Sequence, residues 1–140
     1  MKGGDGLVTT YFLNDIMGNV FKTKTSPGIP SNYYLGLSTT TPTMAGGNVT
    51  EPAASKGYAR VQLTGLSQPS NGTITNSSDI SFAESTDNWG TVTHFVIYDA
   101  ATSGNLLLYE ALTSPRTVEE DSVVAVKAGN LTLTLSNSSS

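Results

Sequence analysis

Cysteine is absent from this chain of 140 residues, and histidine and tryptophan occur once each, as His94 and Trp89. Without cysteine there are no disulfides, no thiol nucleophile and no thiolate metal ligand, and a lone histidine cannot build a histidine-based zinc site. Charge is scarce as well. Only 13% of residues are charged, about half the usual share. The seven basic residues (Lys2, Lys22, Lys24, Lys56, Arg60, Arg116 and Lys127) are scattered, and the net charge is −4. An acidic chain with no basic cluster has little to offer nucleic acid or an anionic membrane. No run approaches the ~18 apolar residues that span a bilayer. The opening residues lead into a stretch interrupted by Asn14, Asp15, Gly18 and Asn19, unlike the uniform apolar centre of a signal peptide. The expectation is a soluble protein made in a cytoplasm.

Serine and threonine fill the place of charge, at 37 of 140 residues. Threonine favours strands and serine favours turns, so the composition points to β structure with neutral polar faces. A surface with little charge is also poorly protected against association. Five Asn-x-Ser/Thr triplets, at Asn48, Asn71, Asn76, Asn130 and Asn137, are read as chance in a chain of this composition.

One helix is expected, over residues 6–22. Val8, Phe12, Ile16 and Val20 recur every four residues, with Leu13, Met17 and Phe21 alongside, which makes a wide apolar stripe. Asp5 is placed as its N-cap, and Lys22 and Lys24 lie where the helix dipole favours positive charge. Thr9, Thr10 and Gly18 weaken it, and Pro27 and Pro30 end it.

Beyond the helix the pattern changes to short strands between turns: 33–38, 57–64, 73–75, 80–82, 91–99, 106–112, 122–127 and 131–135. In the last of these Leu131, Leu133 and Leu135 point inward. Seven or eight strands at this spacing predict an antiparallel β-sandwich, jelly-roll-like or immunoglobulin-like, with one N-terminal amphipathic helix. The chain divides into a helix and linker (1–30), a sandwich domain (31–136) and a polar tail (137–140). The richest part is Trp89 to Val118, two apolar strands joined by a small polar turn. On the first strand Val92, His94, Val96 and Tyr98 share one face, and Thr93, Phe95 and Ile97 the other. Apolar residues on both faces predict that both meet protein, either another subunit or the helix.

No set of side chains converges on a reaction. His94 has Asp99 and many serines as triad partners in principle, but it lies mid-strand with no nucleophile-elbow pattern. Glu119-Glu120-Asp121 is read as a solvated loop, because consecutive acids diverge, whereas glycosidase carboxylates face each other across a cleft. Calcium at that cluster, or at Asp79, Glu84 and Asp87, has no EF-hand spacing behind it. Gly3-Gly4 and Gly46-Gly47 do not join a strand to a helix in P-loop fashion. No catalytic, metal or cofactor site is therefore assigned. The aromatic residues Tyr33, Tyr58 and Trp89 are the candidates for a glycan-stacking surface.

Five segments in this order resemble a family of small virion proteins of tailed bacteriophages. They are the N-terminal helix, YYLGLSTTTPT (33–43), GYARVQLTG (57–65), NGTITNSSDISFAESTDNWGTVTHFVIYDAATSGNLLLYEALTSPRTV (71–118) and AGNLTLTL (128–135). The resemblance runs from about Leu7 to Leu135, and WGTVTHFxIYDAATxGNLL is its most specific part. Its members are labelled as tail-fibre or head-decoration-like proteins. The resemblance implies a non-enzymatic, β-rich structural protein on the outside of the virion and a homo-oligomer; a threefold arrangement of copies is expected, with major capsid or other virion proteins as further partners. The chain has no long repeat or coiled-coil shaft, which favours capsid decoration or a short head or neck appendage. A tail-fibre or baseplate-associated receptor- or glycan-binding module is the alternative. Assembly contacts are expected from Val8, Phe12, Leu13, Ile16, Met17 and Val20 on the helix, and from Val92, His94, Val96, Tyr98, Leu107 and Tyr109 on the strands.

Overall fold

The computed structural model describes residues 1–23 and 28–134. Its elements in chain order are β1 (Gly3–Val8), α1 (Thr10–Val20), β2 (Tyr34–Ser38), a 3-10 turn (Ala54–Lys56), β3 (Val61–Gln62), β4 (Thr73–Thr75), β5 (Ile80–Ser81), β6 (Gly90–Tyr98), β7 (Leu106–Val118), β8 (Ala125–Val126) and β9 (Thr132–Thr134). The protein is mainly β, with antiparallel sheets and a single helix among the described residues. Lys24, Pro27, Leu135 and the polar tail 137–140 lie outside the described residues.

Five strands make one sheet in the order β1-β7-β6-β2-β3, while β4–β9 and β5–β8 pair as two-stranded ribbons. The ribbons form a broken second layer. Their Ile80, Val126 and Leu131 join Leu35 and Leu37 of β2, Phe95 and Ile97 of β6, and Leu107 of β7 in one buried cluster. Aromatic rings close its end: Trp89 stands edge-on to Tyr58 at 5.4 Å, and Tyr58 stacks on Phe82 at 6.2 Å. Asn76, only 1% exposed, ties the two ribbons together. Its amide donates to the carbonyls of Ser78 and Lys127 and its oxygen accepts from Leu131 N, at 2.9, 3.0 and 3.0 Å.

The opposite face of the sheet carries Val96, Tyr98, Leu106 and Tyr109, and Val49 packs on them. The cover is the loop 39–52, held by neutral side chains. Thr40 Oγ1 donates to the Asn48 carbonyl at 2.6 Å, and Asn48 Nδ2 donates to the Thr41 carbonyl at 2.8 Å. Arg60 pins this loop to the β6–β7 turn. Its guanidinium forms a two-point ion pair with Glu51 (3.0 and 2.7 Å), donates to the carbonyls of Ala100 and Ser103 (both 2.8 Å), and lies 3.6 Å over the Tyr98 ring. Such planar, multi-point recognition suits arginine and not lysine. Tyr58 Oη donates to Glu51 at 2.5 Å and accepts from Leu37 N at 3.0 Å. That hydroxyl passes so close to β2 that a Cβ on Gly36 would stand 2.7 Å from it, so only glycine fits there.

The N-terminus departs from the sequence expectation. The helix covers Thr10–Val20, not residues 6–22, and Gly3–Val8 is an edge strand paired with β7. Asp5 therefore lies within β1, and the N-cap is Thr9. Glycine at positions 3, 4 and 6 disfavours helix, and the unpaired edge of β7 offers this segment a ladder instead. Thr9 is fully buried and joins strand, helix and sheet. Its hydroxyl accepts from Phe12 N (3.3 Å) and donates to the Leu106 carbonyl (2.7 Å), while its N–H donates to the Leu107 carbonyl (2.9 Å). Those carbonyls lie where the β6–β7 register shifts: Ile97 pairs with Leu108 and Tyr98 with Leu106, so Leu107 is the extra residue of a bulge. At the other end Lys22 has left the helix with a left-handed backbone, φ 57°.

Replacing Thr9 by valine keeps the shape but removes a cap and leaves a buried carbonyl short of a donor. The expected loss is about 2 kcal/mol of unfolding free energy in urea. The exposed neighbour change Thr10→Val should cost much less, and equal losses for the two would refute the role given to Thr9.

Candidate functional site

The anomaly of this fold is the orientation of α1. Its buried residues are Asp15 and Gly18, with Asn19 half-buried and donating to the Asp15 carbonyl at 2.7 Å. Leu13, Met17 and Val20, spaced i, i+4 and i+7, share the opposite side of the helix. They are 49%, 51% and 60% exposed, and Phe21 at the C-cap is 66% exposed. The polar and small residues face the protein and the large aliphatic ones face outward. Met44, itself exposed, joins the N-terminal end of the helix through its carbonyl, which accepts from Thr10 N at 3.0 Å.

Phe12 and Ile16 occupy the flank between these two sides and line a groove of about 360 Å³. Its far wall is Tyr33, Leu63, Leu66, Pro69, Ile74 and Leu133, and among the described residues no charged side chain lines it. Phe12 meets Tyr33 edge-on at 6.3 Å. Ridge and groove share one helix, so the apolar surface is continuous around its outer half.

The structure distributes the residues singled out in the sequence unevenly. Phe12, Leu13, Ile16, Met17 and Val20 come together on this surface, while Val8, half-buried, ends β1 at the start of the helix. Val92, Val96 and Leu107 are fully buried within the single chain, and Tyr98 and Tyr109 nearly so. Contrary to the expected shared face, a register shift between Val92 and His94 places Val92 with Leu107 in the cluster beneath the ribbons. Of these residues Val96, Tyr98 and Tyr109 lie on the other face, where Val49 of the chain's own loop 39–52 packs. His94 is half-buried between Thr93, whose Oγ1 lies 2.9 Å from its Nδ1, and Tyr109. Tyr58 and Trp89 are enclosed in the core, Trp89 donating its indole N–H to the Lys56 carbonyl at 2.8 Å. Neither presents a ring to a sugar, and Tyr33 is part of the groove wall. Asp79 is committed to Lys127 Nζ (3.1 Å) and Ala128 N (2.9 Å), and among the described residues no three His, Asp or Glu side chains gather as a metal site. Exposed Phe21 was read in the stripe but not among the contact residues, and exposed Met44 was missed because it lies outside the periodic pattern.

A β-rich domain whose one helix turns its apolar side outward is built like an assembly component. A family model described as Podophage GP4 fiber I protein gp80 matches residues 7–134. The chain belongs to that family, a family of phage virion structural proteins and fibre components. No curated protein matches it. No described helix is long and apolar enough to cross a membrane.

Burial holds the His94 imidazole below its ordinary pKa of 6.5. A lowered histidine pKa means that the unfolded chain takes up the proton first. Stability should therefore fall as pH drops through 6.5 toward the lower folded-state value. Chemical unfolding from pH 7.5 to 5 should show that slope, and His94→Gln should flatten it. An unchanged slope in the variant would show that His94 is not its source.

Proposed function

We propose that this chain is a non-enzymatic structural component of a podophage fibre, displayed on the outside of the virion and assembled from copies of itself, in a threefold arrangement. The observation that carries this reading is α1, which buries Asp15 and Gly18 while leaving Leu13, Met17, Val20 and Phe21 in solvent. A monomer gains nothing from that orientation, since exposed aliphatic side chains forgo the transfer free energy of burial. An oligomer, or a capsid protein beneath it, recovers it. The described residues form short antiparallel sheets and ribbons with one helix, which supports a capsid decoration or a short head or neck appendage.

A second reading, a tail-fibre or baseplate-associated receptor- or glycan-binding module, is favoured by one cleft. It has a volume of about 510 Å³ and is lined by Tyr11, Tyr34, Asn32, Asp99 and Asn105, among others. Two tyrosines beside amides and a carboxylate suit a sugar. Asp99 is already held by Asn105, however, through its backbone N (2.7 Å) and its Nδ2 (3.0 Å), so the cleft works first as a turn.

Light scattering on the purified chain at tens of micromolar should report an oligomer, and Leu13→Ser with Met17→Ser should report a monomer with an unchanged β-type circular dichroism spectrum. The double variant should also lose its place on particles imaged by cryo-electron microscopy. A wild-type chain that stays monomeric both free and beside assembled shells would end this reading.

A further inference from the structure

We infer that the self-contact is heterologous: the ridge Leu13, Met17, Val20 and Phe21 of one copy seats in the apolar groove of the next, and the ring closes when every groove is filled. This deepens the self-assembly reading and rests on it.

Three observations select a second copy of this chain as the occupant. The first is chemistry. Leu13, Met17, Val20 and Phe21 are uncharged, and among the described residues no charged side chain lines the groove, so each suits an apolar surface like the other. The second is shape. The ridge is convex, with side chains one turn apart along the helix, while the groove beside it is concave and, at about 360 Å³, has room for more than one large aliphatic side chain. Two convex ridges meeting on a symmetry axis would leave the grooves empty, whereas ridge into groove fills them. The third is area. Four large side chains at these exposures leave roughly 400 Å² of apolar surface, enough to mark an interaction site but about half of the roughly 800 Å² per partner of a standard interface. Each ridge-in-groove contact stays at about half that size, and a copy in a closed ring makes two of them, so that its ridge and its groove are both covered. Different surfaces meeting head to tail form a closed ring when the rotation closes, and a filament otherwise.

The absence of cysteine makes the geometry testable with single engineered thiols. Met17→Cys lies on the ridge and Pro69→Cys on the exposed rim of the groove, so neither change disturbs the core. Leu66→Cys, deeper in the groove, is a second reporter. Ridge and groove variants carrying different tags are co-expressed, and the purified oligomer is treated with a short bismaleimide. Dimers linked between the two tags, with no link between two ridge thiols, are expected. Linkage of Met17→Cys to itself would show the helices bundled ridge to ridge and overturn the inference while leaving self-assembly intact. An oligomer with neither link would overturn it equally, and a monomer would overturn the underlying reading as well.

Discussion

Everything in this fold answers to one requirement: the β6–β7 hairpin is apolar on both faces, and both must be covered. Phe95 and Ile97 point to one side and Val96 and Tyr98 to the other, all nearly or fully inaccessible. One side is closed by two short ribbons that Asn76 stitches together. The other is closed by a loop, which has no ladder of its own and must be fastened. Arg60 and Glu51 do this, and their position explains how a buried ion pair is tolerated. The guanidinium finds two carboxylate oxygens, two carbonyls and a ring face, so little of its desolvation goes uncompensated. The wealth of threonine, serine and asparagine has the same origin, since the covering loop, with Glu51 its one charged residue, satisfies its backbone with neutral hydroxyls and amides.

Once the chain covers its own hairpin, the helix is left as the surplus. It is tied at its start by Thr9 to the Leu106 and Leu107 carbonyls at the β7 bulge, and that junction sets its rotation. Phe12 and Ile16 reach the flank of the core, while the widest part of the apolar stripe turns away. An isolated 11-residue helix is marginal in water, and this one has a glycine at its buried side. Its persistence depends on the Thr9 junction, and the apolar face it displays is therefore presented on a defined axis.

The sequence made the strands legible where the chain is β-branched and alternating. β2, β4, β6 and the start of β7 fall where the pattern places them, although a register shift between Val92 and His94 moves Val92 to the face of Phe95 and Ile97. It did not reveal β1. Gly3-Gly4-Asp5-Gly6 has no strand pattern, and its ladder is with β7, about a hundred residues away. The helix stripe correctly grouped Phe12, Leu13, Ile16, Met17 and Val20, yet periodicity says which residues share a side and not which way that side faces. For the same reason the two-sided apolarity of β6 was legible but its partner was not. The cover comes from loop 39–52, whose seating depends on Arg60 meeting Glu51 across a turn. Such a contact leaves no periodic trace. Tyr58 and Trp89 could be read equally as surface platform or core, and three-dimensional packing decided for core.

The placement of the surplus apolar surface on a helix also bears on how assembly can stop. A sheet protein with so little charge is exposed to edge-to-edge pairing, which has no natural end. Here the edges are blunt. β3 at one edge is two residues long, and β1 at the other is glycine-rich with a register shift between Gly3 and Gly6. Neither presents a long regular ladder to another chain. Association is thereby steered from the backbone to side chains, where shape and rotation decide the partner. A fibre component needs this combination. In the assembly we propose, the chain adheres to its neighbours with few charges to repel them, yet through a surface of limited extent, which gives appendages of fixed size and not open-ended sheets.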